Sequence, residues 1–260
     1  HAPAQLEKAK TSAEQERSLG LGAMGFHAYL QRRNVPFESP MAVGANKMMF
    51  EHIKKEAKNA SDQLCKERGP CHDGYHAGVR NAHLLAVAPN ASSSIICGNT
   101  SPSIEPYRAN AFTQKTKSGS SLLKNEYLEH ALQELDQDTD EVWKSIITNN
   151  GSVQHLDFLD DWTKDVFKTA VEIDQRWIIE MAADRQKEIC QSQSLNVFFP
   201  ANVSKQELHA IHMMAWKKKV KTLYYLRSEA IKRAETVSDE ALRQYIFDSI
   251  DDEGCLACEG

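Results

Sequence analysis

Long hydrophobic runs are missing from this sequence. The longest uninterrupted apolar stretch is Leu84 to Ala88, far short of the ~20 residues a membrane helix needs. Surplus positive charge is missing too, since 31 Lys and Arg stand against 36 Asp and Glu, a formal net charge of −5. A phosphate-tracking face needs concentrated cations, so nucleic acid and anionic membrane are excluded as main partners. Cysteine is sparse. Residues 65, 71, 97, 190, 255 and 258 are too scattered for a disulfide-stapled secreted scaffold, and a reducing cytoplasm is the expected compartment. There is no initiating Met and no hydrophobic signal segment, because His1 is followed by a polar stretch through Arg17. The expectation is the tail of something longer.

What is present is an ordinary globular composition, with 41% hydrophobic and 26% charged residues. At 260 residues a substantial core is within reach. Residues 3–17 read as an exposed helix running on through Arg32. Ser39 and Pro40 open a second helix, expected to reach Arg68 and stop at Gly69-Pro70, with Met41, Ala45, Met48, Met49 and Ile53 as its core face. Residues 82–88 lack alternation, as in a strand covered on both faces, and Pro89 closes it. Two helices are expected over 120–149 and two more over 158–189, followed by a buried strand over 194–199. Ser204 to Glu207 is a capping box that starts a helix to about Lys219. Val220 to Leu226 is a third short strand. Strand, helix, strand in succession predicts an α/β fold, a helix-covered parallel sheet or barrel. Residues 1–236 form the body of this reading, and 237–260 form an acidic tail expected to move.

A few groups can carry chemistry. Gly20, Gly22 and Gly25 have dinucleotide-fingerprint spacing, but the residues before them are no strand, so close backbone packing is the better reading. Pro89 to Ser94 follows a buried strand, and its small hydroxylated residues suit either a phosphate cradle or an ordinary polar loop. Cys255 and Cys258 have the spacing of a redox dithiol or half a zinc site, and His209 and His212 share a helix face able to complete it. Tyr224 and Tyr225 are either plain core residues or, if their rings stack, a pair able to pass an electron together with its proton.

Five stretches in order carry a resemblance: Arg17 to Gly22; Pro89 to Ser94 followed by Ser103-Ile104-Glu105-Pro106; Gln191 to Asn196; Lys221 to Tyr225; and the terminal Cys-x-x-Cys. Together they resemble the C-terminal part of the large subunit of class I ribonucleoside-diphosphate reductase, with the tailed-phage version closest. The resemblance implies a segment of a ten-stranded α/β barrel whose radical chemistry replaces the ribose 2′-hydroxyl by hydrogen. It implies that Ala91, Ser92 and Ser93 hold the phosphates of a ribonucleoside diphosphate. Tyr225 would accept the oxidising equivalent and Tyr224 pass it on. Cys255 and Cys258 would re-reduce the active site and be reduced by thioredoxin or glutaredoxin. No metal or cofactor is expected on this chain. A tyrosyl radical and di-iron centre are expected in a small subunit. The family's reactive cysteines match none of Cys65, Cys71, Cys97 and Cys190, which read as buried or incidental, so an N-terminal companion segment is expected to supply them. The contrasting reading is a non-catalytic binding or regulatory module whose terminal dithiol is a redox or zinc handle.

Overall fold

The computed structural model describes residues 3–116 and 119–228. The tail from 237, with Cys255 and Cys258, lies outside the described residues.

Helix α1 (Glu7–Glu16) stops at Arg17, whose backbone is left-handed at φ 52°. The expected continuation to Arg32 does not occur. Residues 18–22 are instead drawn out against a neighbour: the Leu19 N–H donates to the His83 carbonyl at 2.9 Å, and the Ala86 N–H donates back to Leu21 at 3.1 Å. Glycine makes this approach available. A Cβ on Gly22 would stand 2.6 Å from the Ala86 carbonyl oxygen, so Gly20 and Gly22 lie inside the extended stretch and not in a phosphate-binding turn after it. Gly25, at φ 82°, then turns the chain into α2 (Phe26–Arg32).

Helix α3 (Pro40–Arg68) has the expected ends. The Ser39 hydroxyl accepts from the Ala42 N–H, and the Gly69 N–H donates to Cys65. Its inner face is set by Ala42, Asn46 and Phe50, one turn apart. Met41 and Met48 fall off that line and are 52% and 67% exposed, so the methionine stripe is core only in part. Across this face Asn46 donates to the Met181 carbonyl at 3.0 Å and accepts from the buried Arg185 at 2.8 Å.

Helix α4 (Ala91–Ile96) precedes a hairpin, β1 (Ala111–Thr116) with β2 (Gly119–Lys124), antiparallel. The hairpin was not expected, because its strands are polar, and it displaces helix from 120–124. Helices α5 (Glu126–Glu134), α6 (Asp140–Thr148) and α7 (Asp161–Val166) follow and close a second core around Leu128, Leu132, Trp143 and Ile146. Helix α8 (Gln175–Gln186) returns to the first core. Strand β3 (Val197–Phe199) and helix α9 (Lys205–Lys217), capped by the Ser204 hydroxyl on the Glu207 N–H, lead to β4 (Leu226–Ser228). The third strand therefore begins at Leu226, where it was expected to end. Residues 220–225 are spent crossing from α9, and Lys221 Nζ is tied to the Cys190 and Gln191 carbonyls at 2.8 and 2.9 Å.

These pieces make a parallel array. Leu21 pairs with Leu85, Val87 with Gln193, and Val197 with Leu226, all in the same direction. Each neighbouring pair is joined through helices, as parallel pairing requires. The expected strand over 82–88 is thus present only as these isolated pairings at Leu85 and Val87. Among the described residues no helix is long and apolar enough to cross a membrane.

Candidate active site

The stretch ending at Val87 runs into Pro89 and then Asn90, which is left-handed at φ 52°. That bend starts α4, leaving the first helical N–H groups without intrahelical acceptors. Ala91, Ser92 and Ser93 are exposed, whereas Ser94 is buried and its hydroxyl donates to the Ala91 carbonyl at 3.0 Å. The Ser92 and Ser93 hydroxyls are therefore exposed beside the leading N–H groups, an arrangement able to receive an anion.

Tyr224 and Tyr225 precede β4, where the chain has not yet settled into strand geometry. Strict alternation would send their rings to opposite faces. Here the ring centroids are 4.2 Å apart, tilted by 56°. The main chain holds them on the central stretch: the Tyr224 N–H donates to Leu195 at 2.8 Å, and the Tyr225 N–H to Asn196 Oδ1 at 3.0 Å. Both rings are about half exposed, not core. A hydrogen bond with Tyr225 raises the Tyr224 phenol above its ordinary range. The Arg227 guanidinium carbon stands 5.0 Å from the Tyr225 ring centroid, within cation–π range.

The serine turn and the tyrosines flank the same central stretch. The tyrosines lie level with Leu195 and Asn196, before the pairing of Leu226 with Val197, whereas the serine turn follows the pairing of Val87 with Gln193 and so lies toward the carboxyl-terminal end of the central stretch. Ligands of parallel α/β sheets collect at that end.

Glu105, in the Ser103-Ile104-Glu105-Pro106 motif, is the most perturbed carboxyl near the tyrosines. It is 4% exposed. Burial pushes its carboxyl up to about 7, although a hydrogen bond from Asn196 and the charges of Arg108 and Arg227 favour the ionised form. Its flanking Ile104 and Pro106 were the available signal, a carboxylate set in an apolar run. The folded state therefore holds the Glu105 proton more tightly than the unfolded chain does. Its stabilising contribution is complete below about pH 4.5 and is lost as pH rises from there through about 7. Glu105→Gln cannot titrate, so urea unfolding should show it gaining about 1–3 kcal/mol on the wild type between about pH 5 and pH 8. A pH-independent difference would contradict the burial.

His209 and His212 are both exposed, and the His212 Nδ1 is spent on the Leu208 carbonyl at 2.7 Å. Among the described residues no three His, Cys, Asp or Glu side chains are placed to hold a metal. Cys71 is buried and Cys97 exposed. Cys190 is exposed rather than buried and has a structural task, since its sulfur accepts the N–H groups of Leu84 and Leu85 at 3.2 Å each.

Comparison with known proteins bears on this arrangement. Residues 2–77 and 72–226 match the family described as "Ribonucleotide reductase, barrel domain". The chain is 48% identical over 241 residues to the ribonucleoside-diphosphate reductase large subunit of Invertebrate iridescent virus 6, covering 91% of this chain and 25% of that protein. It is 33% identical to the large subunit of Caenorhabditis elegans, covering 98% of this chain and 37% of the relative. Among solved structures, the class Id ribonucleotide reductase alpha subunit of Actinobacillus ureae superposes with a TM-score of 0.81 at 38% identity, over 89% of this chain and 42% of that one. The chain thus spans less than half the length of each of these relatives.

Proposed function

The chain belongs to the ribonucleotide reductase family, to its barrel domain, and from that premise we propose that it works as the C-terminal part of a large subunit reducing ribonucleoside diphosphates in the cytoplasm. The observation that carries this reading is the contact of Tyr224 with Tyr225, at 4.2 Å between ring centroids. Two touching phenols can relay an oxidising equivalent, because a phenol that loses an electron becomes strongly acidic and needs a neighbour to manage its proton. Adjacent tyrosines serving only as filler would be buried, and these are not.

In this proposal the oxidising equivalent comes from a tyrosyl radical and di-iron centre in a small subunit, reaches Tyr225 and passes through Tyr224 toward a reactive cysteine. That cysteine, with its redox partners, is supplied by a stretch of large subunit outside these 260 residues. The Ala91, Ser92 and Ser93 turn holds the substrate phosphates by its N–H groups and hydroxyls. Cys255 and Cys258 return electrons to the active site, and thioredoxin or glutaredoxin re-reduces them. The likeness to the tailed-phage version is part of the proposal and rests on the ordered motifs alone.

Reconstitution tests the reading. This chain, combined with the companion segment and the small subunit, should convert ribonucleoside diphosphate to the deoxy product, measured by chromatography. A mixture that stays inactive with every component folded would argue against it.

A further inference from the structure

Among the described residues, two buried polar atoms of opposite character beside the tyrosine pair have no partner: the acceptor Glu105 Oε1 and the donor Arg227 Nε. Arg227 lies over the Tyr225 ring. Glu105 reaches the same tyrosine by another route, since the Asn196 amide faces the Glu105 carboxyl and favours its ionised form, while Asn196 Oδ1 accepts the Tyr225 N–H at 3.0 Å. A primary amide can do both at once because its two ends have opposite polarity.

A buried carboxylate with an unfilled acceptor is costly, and the fold does not demand one here. The parallel ladder is carried by backbone groups, from the Tyr224 N–H to Leu195 at 2.8 Å and from the Val197 N–H to Tyr225 at 3.0 Å. A neutral side chain would fill the space at lower cost. What a carboxylate adds is an acceptor for Asn196 and a negative charge facing Arg227.

We propose that Glu105 is the positioning residue of the tyrosine pair: through Asn196 it fixes the main chain of Tyr225, and its charge keeps Arg227 over the Tyr225 ring. A guanidinium over that ring opposes loss of an electron without loss of the phenolic proton, so it keeps the two transfers coupled. This functional weight rests on the role proposed above for the tyrosines.

The test places 3-fluorotyrosine at position 225 of this chain and reads its fluorine resonance together with hydrogen exchange of the Tyr225 amide. Glu105→Ala should quicken that exchange about tenfold and move the fluorine resonance. Glu105→Gln keeps an acceptor for Asn196 and removes the charge. It should leave exchange within about twofold of the wild type yet still move the resonance, a split that a purely space-filling role does not produce. The proposal is overturned if Glu105→Ala changes neither signal, or if Glu105→Gln matches the wild type in both or Glu105→Ala in both. Should Glu105→Ala also quicken the Trp143 amide of the second core, general loosening is the cause and Glu105→Gln decides alone. A moved fluorine resonance then supports the proposal and an unmoved one overturns it. None of these readings involves turnover, so their failure leaves the tyrosines' role standing, and an inactive assembled enzyme leaves the positioning result standing.

Discussion

Tyr224→Phe and Tyr225→Phe should each reduce turnover of the assembled enzyme to background, a loss of at least about a thousandfold, equivalent to about 4 kcal/mol of barrier. A phenylalanine ring keeps the shape and the packing but has no O–H bond to break, so it cannot receive an electron vacancy and release a proton. The fold should hardly notice. Both rings are about half exposed, and loss of one exposed hydroxyl costs within about 1 kcal/mol. Thermal unfolding and diphosphate binding should therefore match the wild type while product formation stops. A variant that retains a tenth or more of the activity would remove that tyrosine from the path.

Replacing Cys255 and Cys258 together by serine should separate one turnover from many. If the dithiol only recharges the active site, the first equivalent of deoxynucleotide forms at the normal rate and the second does not form with thioredoxin as reductant. A small dithiol able to enter the active site should restore repeated turnover, since exchange depends on thiolate access. Rapid-quench measurement of the first turnover, set beside steady-state assay, reads both. Equal loss in both regimes would show that the cysteines do something other than shuttle electrons.

The parts of this fold legible in the sequence are those with local causes. Ser39 with Pro40, Gly69, and Ser204 with Glu207 mark helix ends because each satisfies or replaces a specific backbone group, a donor at the amino-terminal ends and a carbonyl acceptor at Gly69. Parts decided by distant partners were not legible. Residues 18–22 contain two glycines that weaken a helix, but their extension is fixed only by residues 83–86, which offer a ladder that Gly22 can approach closely. The polar hairpin of β1 and β2 gives no alternating apolar signal. In the candidate site, the hydroxyl-rich turn and the adjacent phenols could be singled out by residue type. Whether the rings of Tyr224 and Tyr225 met depended on β4 starting only at Leu226, which no propensity dictates. Glu105 was not legible because its raised pKa comes from burial, which tertiary packing decides, and the groups that oppose the shift include Asn196 and Arg227, 91 and 122 residues further along the chain.

The central claim is that an oxidising equivalent passes through these two phenols. An easily oxidised tyrosine analogue, 3-aminotyrosine, placed at position 225 of a large subunit containing this segment would trap it there. On mixing with the radical-bearing small subunit and substrate, electron paramagnetic resonance should show loss of the small-subunit radical and growth of an aminotyrosyl signal in equal amount. An unchanged small-subunit radical in a complex shown to have formed would contradict the account.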